Sequence, residues 1–164
     1  MRRNALAVLT LALIAGPALA QAPAAAPARA RGPDLALAVE MAQEAVALCK
    51  TRGYKTTALV TDSAGVPVVL LSGDGADAGT QKIAASKVAM VMKYKVASSV
   101  TAAKAATDPA LNAEIVADPL IGRARAGAIP IAVGGETIGV LAVSGAPNGG
   151  FDAECAVPAL AKVQ

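Results

Sequence analysis

Few side chains in this sequence can do chemistry, and the sharpest of them is Lys87. In a helical stretch it falls on the stripe Ile83, Lys87, Met90, Tyr94, at spacings of four, three and four residues. A cation on an otherwise apolar stripe must snorkel to water, pair with an anion or hold a ligand. Asp74, on the loop before this helix, is its expected partner. Two readings stay open: an ion pair that orients the loop, or a point charge that holds a carboxylate of a bound molecule. The same helix carries Met90, Met92 and Tyr94, whose thioether and phenol groups can ligate iron. The methionines read equally as core or interface filling, and Lys93 and Lys95 as a solvated face. Glu114 and Asp118 stand four apart on a short helix, either as a carboxylate pair for acid–base work or as surface residues.

Composition removes most other chemistries. The chain has 164 residues and no His, so Ser–His–Asp triads, Cys–His dyads and imidazole ligands are excluded. Two Cys are too few for a zinc finger or an iron–sulfur cluster. Aromatics are 2% of the chain, which leaves no stacking platform for single-stranded nucleic acid. Gly134-Gly135 and the Gly145 to Gly150 loop could turn backbone amides toward an anion, but they also suit ordinary turns, and no phosphate-loop or dinucleotide pattern is present. Without a His, a resolved nucleophile or a convergent acid–base pair, binding is expected before catalysis, and enzymatic activity is left open.

Residues 1–20 read as an export signal: Met1-Arg2-Arg3-Asn4, an apolar run from Ala5 to Ala15, a break at Gly16-Pro17, and Ala18-Leu19-Ala20 before the cut. The apolar run is too short to span a bilayer, so no stable membrane anchor is expected. Removing Arg2 and Arg3 lowers the formal charge from +3 to +1, which gives the mature chain no electrostatic reason to bind nucleic acid. The expected location is periplasmic or secreted. Residues 21–33 are rich in Ala and Pro and read as a disordered or extended linker whose arginines only solubilise. In an oxidising compartment Cys49 and Cys155 are expected to pair. A redox-active or metal-ligating thiol pair is the other reading, though only Lys50 stands by to lower a thiol pKa.

Residues 34–164 must supply the scaffold. Asp34 caps a helix to about Arg52, with Leu35, Val39, Ala42, Val46 and Cys49 on one face. Thr56–Thr61 and Val66–Leu71 read as a hairpin, with Pro67 marking an edge strand. A helix follows from Asp77 or Thr80 to Lys95, then short helices over Ser98–Ala106 and from Asp108-Pro109 to Asp118. Ala128–Val133 and Thr137–Val143 form a second hairpin through Gly134-Gly135, and Asp152 is expected to cap a last helix carrying Cys155. This order gives an α+β domain with an antiparallel sheet of four to five strands flanked by helices. The first and last helices, side by side on one face, would bring Cys49 to Cys155.

Several segments in this order resemble the GlcG/HbpS-type haem-binding protein family. They are Ala47-Leu48-Cys49 to Gly53, Val60-Thr61-Asp62 to Gly65, Gly73-Asp74-Gly75-Ala76, Ala84-Ala85-Ser86-Lys87-Val88-Ala89, Ile129-Pro130-Ile131 with Gly134-Gly135, and Ile138-Gly139-Val140 through Pro147 to Asp152 and Cys155-Ala156. The resemblance spans about residues 35–160. It implies a profilin-like fold, a homo-oligomer and, for exported members, haem binding. The chain has Ser72 where the family often has Arg. The resemblance makes haem or a related tetrapyrrole the expected small-molecule ligand. Lys87 and Asp74 are then expected at the pocket rim, with the Met90–Tyr94 helix as its wall. Tyr94 is favoured for ferric iron, and the metal ligand is otherwise unassigned. The runner-up is a non-catalytic accessory subunit, a disulfide-bonded oligomer that binds a partner protein. A third reading, an enzyme acting on small organic acids, follows only from the family's association with glycolate.

Overall fold

The computed structural model describes residues 30–163. The expected export signal and most of the expected linker lie outside the described residues. The chain runs α1 (Leu35–Thr51), β1 (Thr57–Asp62), β2 (Pro67–Ser72), α2 (Ala78–Tyr94), α3 (Ser98–Ala105), α4 (Pro109–Ala117), β3 (Ala128–Val133), β4 (Glu136–Ser144) and α5 (Gly149–Val163). Two hairpins join through their inner strands, so the sheet order is β2-β1-β4-β3 with every neighbour antiparallel. This is an α+β, profilin-like sheet of four strands.

Strand alternation sorts the core into two layers. Ala58 and Val60 of β1, with Leu141 and Val143 of β4, pack on the layer that holds α1 and α5. Leu59, Val140 and Ala142 point the other way, into a layer with Ala84, Val88 and Val91 of α2. Central β1 is therefore buried from Thr57 to Thr61. Pro67 opens the outer strand β2, where a missing N–H is tolerated.

Asp34 caps α1 by accepting from the Leu37 amide at 2.9 Å. The face this helix buries is Ala38, Met41, Ala42, Ala45 and Cys49, rotated from the expected stripe, and Leu35 is 63% exposed. The reason is close packing. Alanines on α1 and on α5 (Ala156, Ala159) share one core cluster, and small side chains let two helices lie together. Cys49 and Cys155 form a disulfide across this seam, with their Cα atoms 5.6 Å apart.

Two local expectations are corrected. Helix α5 starts at Gly149, and the Asn148 side chain, not Asp152, accepts from the first free amides, those of Gly150 and Phe151. Asp152 lies inside the first turn and faces inward. The end of the expected linker is also more than a solubilising tether. The Arg31 carbonyl accepts from the Ser63 amide, and its guanidinium pairs with Glu136 on β4.

Candidate functional site

Lys87 is 2% exposed, so its charge cannot reach water. Its Nζ donates to the Val143 carbonyl at 2.7 Å and to Asp152 Oδ2 at 2.6 Å. The other carboxylate oxygen of Asp152 accepts from the Ala146 amide at 2.9 Å. Lys87 thus ties α2 to the end of β4, to α5 and to the loop between them. The expected pairing with Asp74 does not form. Asp74 is exposed, and its carboxylate meets Lys50 of α1 at 3.2 Å. The physical reason is burial: an ammonium sealed between helix and sheet needs an equally sealed anion, and the Gly73–Ala76 loop lies too far out to provide one. Burial pushes the Lys87 pKa down and the Asp152 pKa up, each against the pull of the other's charge. Gly127 makes room for the pair. Its φ is +116°, and a Cβ there would lie 2.6 Å from Lys87 Nζ and 2.7 Å from Asp152 Cβ.

The rest of the expected stripe divides. Met90 is fully buried against Ala105, Ile115 and Ile121, where α2 meets α3 and α4. Tyr94 is half-buried, and its hydroxyl donates to Glu114 Oε1 at 3.0 Å. Burial and that acceptor push the Tyr94 pKa up. Lys93 Nζ stands 3.0 Å from Glu114 and 2.9 Å from Asp118. These hydrogen bonds raise the Lys93 pKa and hold both carboxyls below their ordinary range. Glu114 and Asp118 therefore converge on a cation. Lys87 is sealed with Asp152, Met90 and Tyr94 share the corner where α2 meets α3 and α4, and Asp74 stands apart at the surface.

Two concavities flank α2. One is an apolar groove of about 450 Å³, walled by Val88, Ala89 and Met92 on the helix and by Leu120 and Ile121 on the connection that follows α4. Leu120 is 73% exposed at its lip. Met92 supplies the groove's one sulfur atom among the described residues. The other is a cleft of about 520 Å³ between residues 123–126 and the 144–150 loop, lined by Arg123, Arg125, Asp77 and Ser144. The Lys87–Asp152 pair anchors its loop wall through Ala146.

Sequence reasoning missed Asp152 as a functional partner, the wall at Leu120-Ile121, and the two arginines. Only the arginines carried a signal: Arg-Ala-Arg lies in a stretch from Pro119 to Gly135 with no acidic residue. Among the described residues no cluster of His, Cys, Asp or Glu could hold a metal ion, and no helix is long and apolar enough to cross a membrane.

Comparison with known proteins places this architecture. HbpS of Streptomyces reticuli, solved as a double mutant, superposes with a TM-score of 0.73 at 26% identity, over 90% of this chain and 99% of that one. The DUF336 protein ORFY of Klebsiella pneumoniae gives 0.73 at 18% identity, over 83% and 93%. PduOC, solved as a complex with heme, gives 0.71 at 17% identity, over 79% and 94%. The last two likenesses are of fold alone. No curated protein matches the chain significantly. The family model described as "Haem degrading protein HbpS-like" matches residues 34–161, which is most of the sequence, and the protein belongs to that HbpS-like family.

Proposed function

We propose that this is an exported small-ligand-binding protein whose ligand is haem or a related tetrapyrrole, seated in the apolar groove along α2. The observation that carries the reading is that groove: about 450 Å³, open to solvent, with Leu120 73% exposed at its lip and the Met92 side chain in its wall. Membership of a haem-related family and the shared fold with a heme complex support it.

The residues present fit such a group. Ala85, Ala89 and Leu120 offer apolar surface to a flat macrocycle over a floor of buried Val88 and Ile121. Met92 offers a thioether to iron, while the Met90 sulfur is sealed in the core and the Tyr94 hydroxyl is engaged by Glu114. Lys93 stands at the rim, but Glu114 and Asp118 already match its charge. The propionates would therefore face solvent or displace one of those carboxylates. Bound haem would supply redox chemistry at iron; the chain's own contribution is binding, orientation and exclusion of water.

Export rests on the tripartite N-terminus, and the Cys49–Cys155 disulfide supports an oxidising compartment. A second reading has one observation in its favour. The exposed Leu120 and Val66 (57% exposed) would equally suit a second copy or a partner protein, as in an accessory oligomeric subunit.

A haemin titration followed by absorption tests the proposal. The expected result is a saturable Soret shift at about one haemin per chain, weakened by Met92→Ala and abolished by Leu120→Glu. An unchanged spectrum at tens of micromolar haemin, with a protein partner co-purifying from the host, would replace it with the accessory-subunit reading.

A further inference from the structure

We propose that the cleft between residues 123–126 and the 144–150 loop is a binding site for small organic dicarboxylates. Its wall carries Arg123 and Arg125, and neither guanidinium has an ion-pair or hydrogen-bond partner among the described residues. The other two described arginines, Arg31 and Arg52, each meet a carboxylate. Leaving two arginines unmatched in one concavity costs mutual repulsion. Arg125 registers it: burial first, and then the charge of Arg123, lower its pKa.

A second observation comes from Ser144. It is 2% exposed, it lines the cleft, and its hydroxyl makes no hydrogen bond among the described residues. The hydroxyl is not one of the sealed, unpaired polar atoms of the core; it offers a bound carboxylate one donor beside the arginines. The cleft's acidic side chain, Asp77, spends one carboxylate oxygen on the Gly79 and Thr80 amides as the cap of α2. The lining charge is still net positive.

The ligand class follows from shape and charge. A guanidinium fork matches a carboxylate in two parallel hydrogen bonds. Two forks two residues apart match two carboxylates on a short carbon chain. The volume of about 520 Å³ admits such a molecule with room for water. The wall is built to stay in place, because Asp152 grips the Ala146 amide while itself held by Lys87. The cleft shares no lining residue with the α2 groove, so it stands independently of tetrapyrrole binding.

Thermal denaturation of the purified protein tests this with malonate, succinate, inorganic phosphate and sodium chloride at matched ionic strength. A saturable rise in Tm is expected with a dicarboxylate. Arg123→Ala and Arg125→Ala should each weaken affinity about tenfold or more, and Arg125→Lys should weaken it too, because the charge remains but the fork is lost. Lys104→Ala, an equal charge change on α3, should leave it intact. Equal stabilisation by phosphate would overturn the dicarboxylate assignment. Stabilisation surviving the double arginine variant, or none with either dicarboxylate, would overturn the site. Loss of haemin binding in that variant without any dicarboxylate effect would instead assign the arginines to propionates.

Discussion

Lys87 shows what one residue can and cannot disclose from its place in a sequence. Its helical stripe was legible, because spacing within a helix is local. Its partner was not. Asp152 lies 65 residues away, and only the packing of α5 against β4 brings it in. Nearness in the chain pointed to Asp74, which the fold leaves at the surface beside Lys50.

The pair's energetics follow from burial. Both charges are taken from water, and both pKa values move toward the neutral forms. Lys87→Ala or Asp152→Ala alone leaves a buried charge unmatched and is expected to cost about 3–5 kcal/mol. The double variant Lys87→Ala with Asp152→Ala should be much milder than the sum, as read by urea denaturation of all three. Equal costs that simply add would mean that the two groups do not interact.

The exposed cluster around Lys93 has the opposite sign. Glu114 and Asp118 are depressed below their ordinary range in the fold. Their stabilising contribution is present above the unfolded carboxylate pKa and is lost as pH falls through the lowered folded values. Tyr94 fluorescence should therefore report a loosening of the α2–α4 corner on acidification. The change should be absent in Glu114→Gln with Asp118→Asn.

At the scale of elements the sequence was informative wherever the signal was local. Asp34, Asp77 and Asp108 each cap the helix that follows, and both hairpins form at their turns. The errors arose where tertiary packing chose between faces or starts. The seam of α1 is made of alanines, whose weak hydrophobicity cannot outrank Leu35 or Val39 in a periodicity argument. Helix α5 begins a turn ahead of Asp152 because Asn148 can cap it there. The disulfide crosses this alanine seam and closes a loop with a sequence separation of 106 residues. In the chain-entropy model such a loop contributes about 4–5 kcal/mol. Reduction should lower stability by roughly that amount, and Cys49→Ser with Cys155→Ser should reproduce it. Denaturant midpoints unchanged by reductant would show that the helices hold together without the bridge.

On the scale of the whole molecule, neither concavity could be found in the sequence. Each forms where the connection after α4 runs alongside α2, and that path is set by Ile115 and Ile121 anchoring in the cluster around Met90. The fold class and the family were legible because strand order and small-residue turns recur in a fixed sequence. The ligand surfaces were not, because their walls come from segments about 20 to 30 residues apart that carry no shared motif.

Amide resonances in the presence of haemin test the groove most directly, since ferric haem broadens the signals of nearby nuclei. Gly65, Ala85, Met92 and Leu120 should broaden first, with α1 and α5 unaffected. Broadening centred on the arginine cleft, or on no site at all, would contradict the placement of a tetrapyrrole along α2.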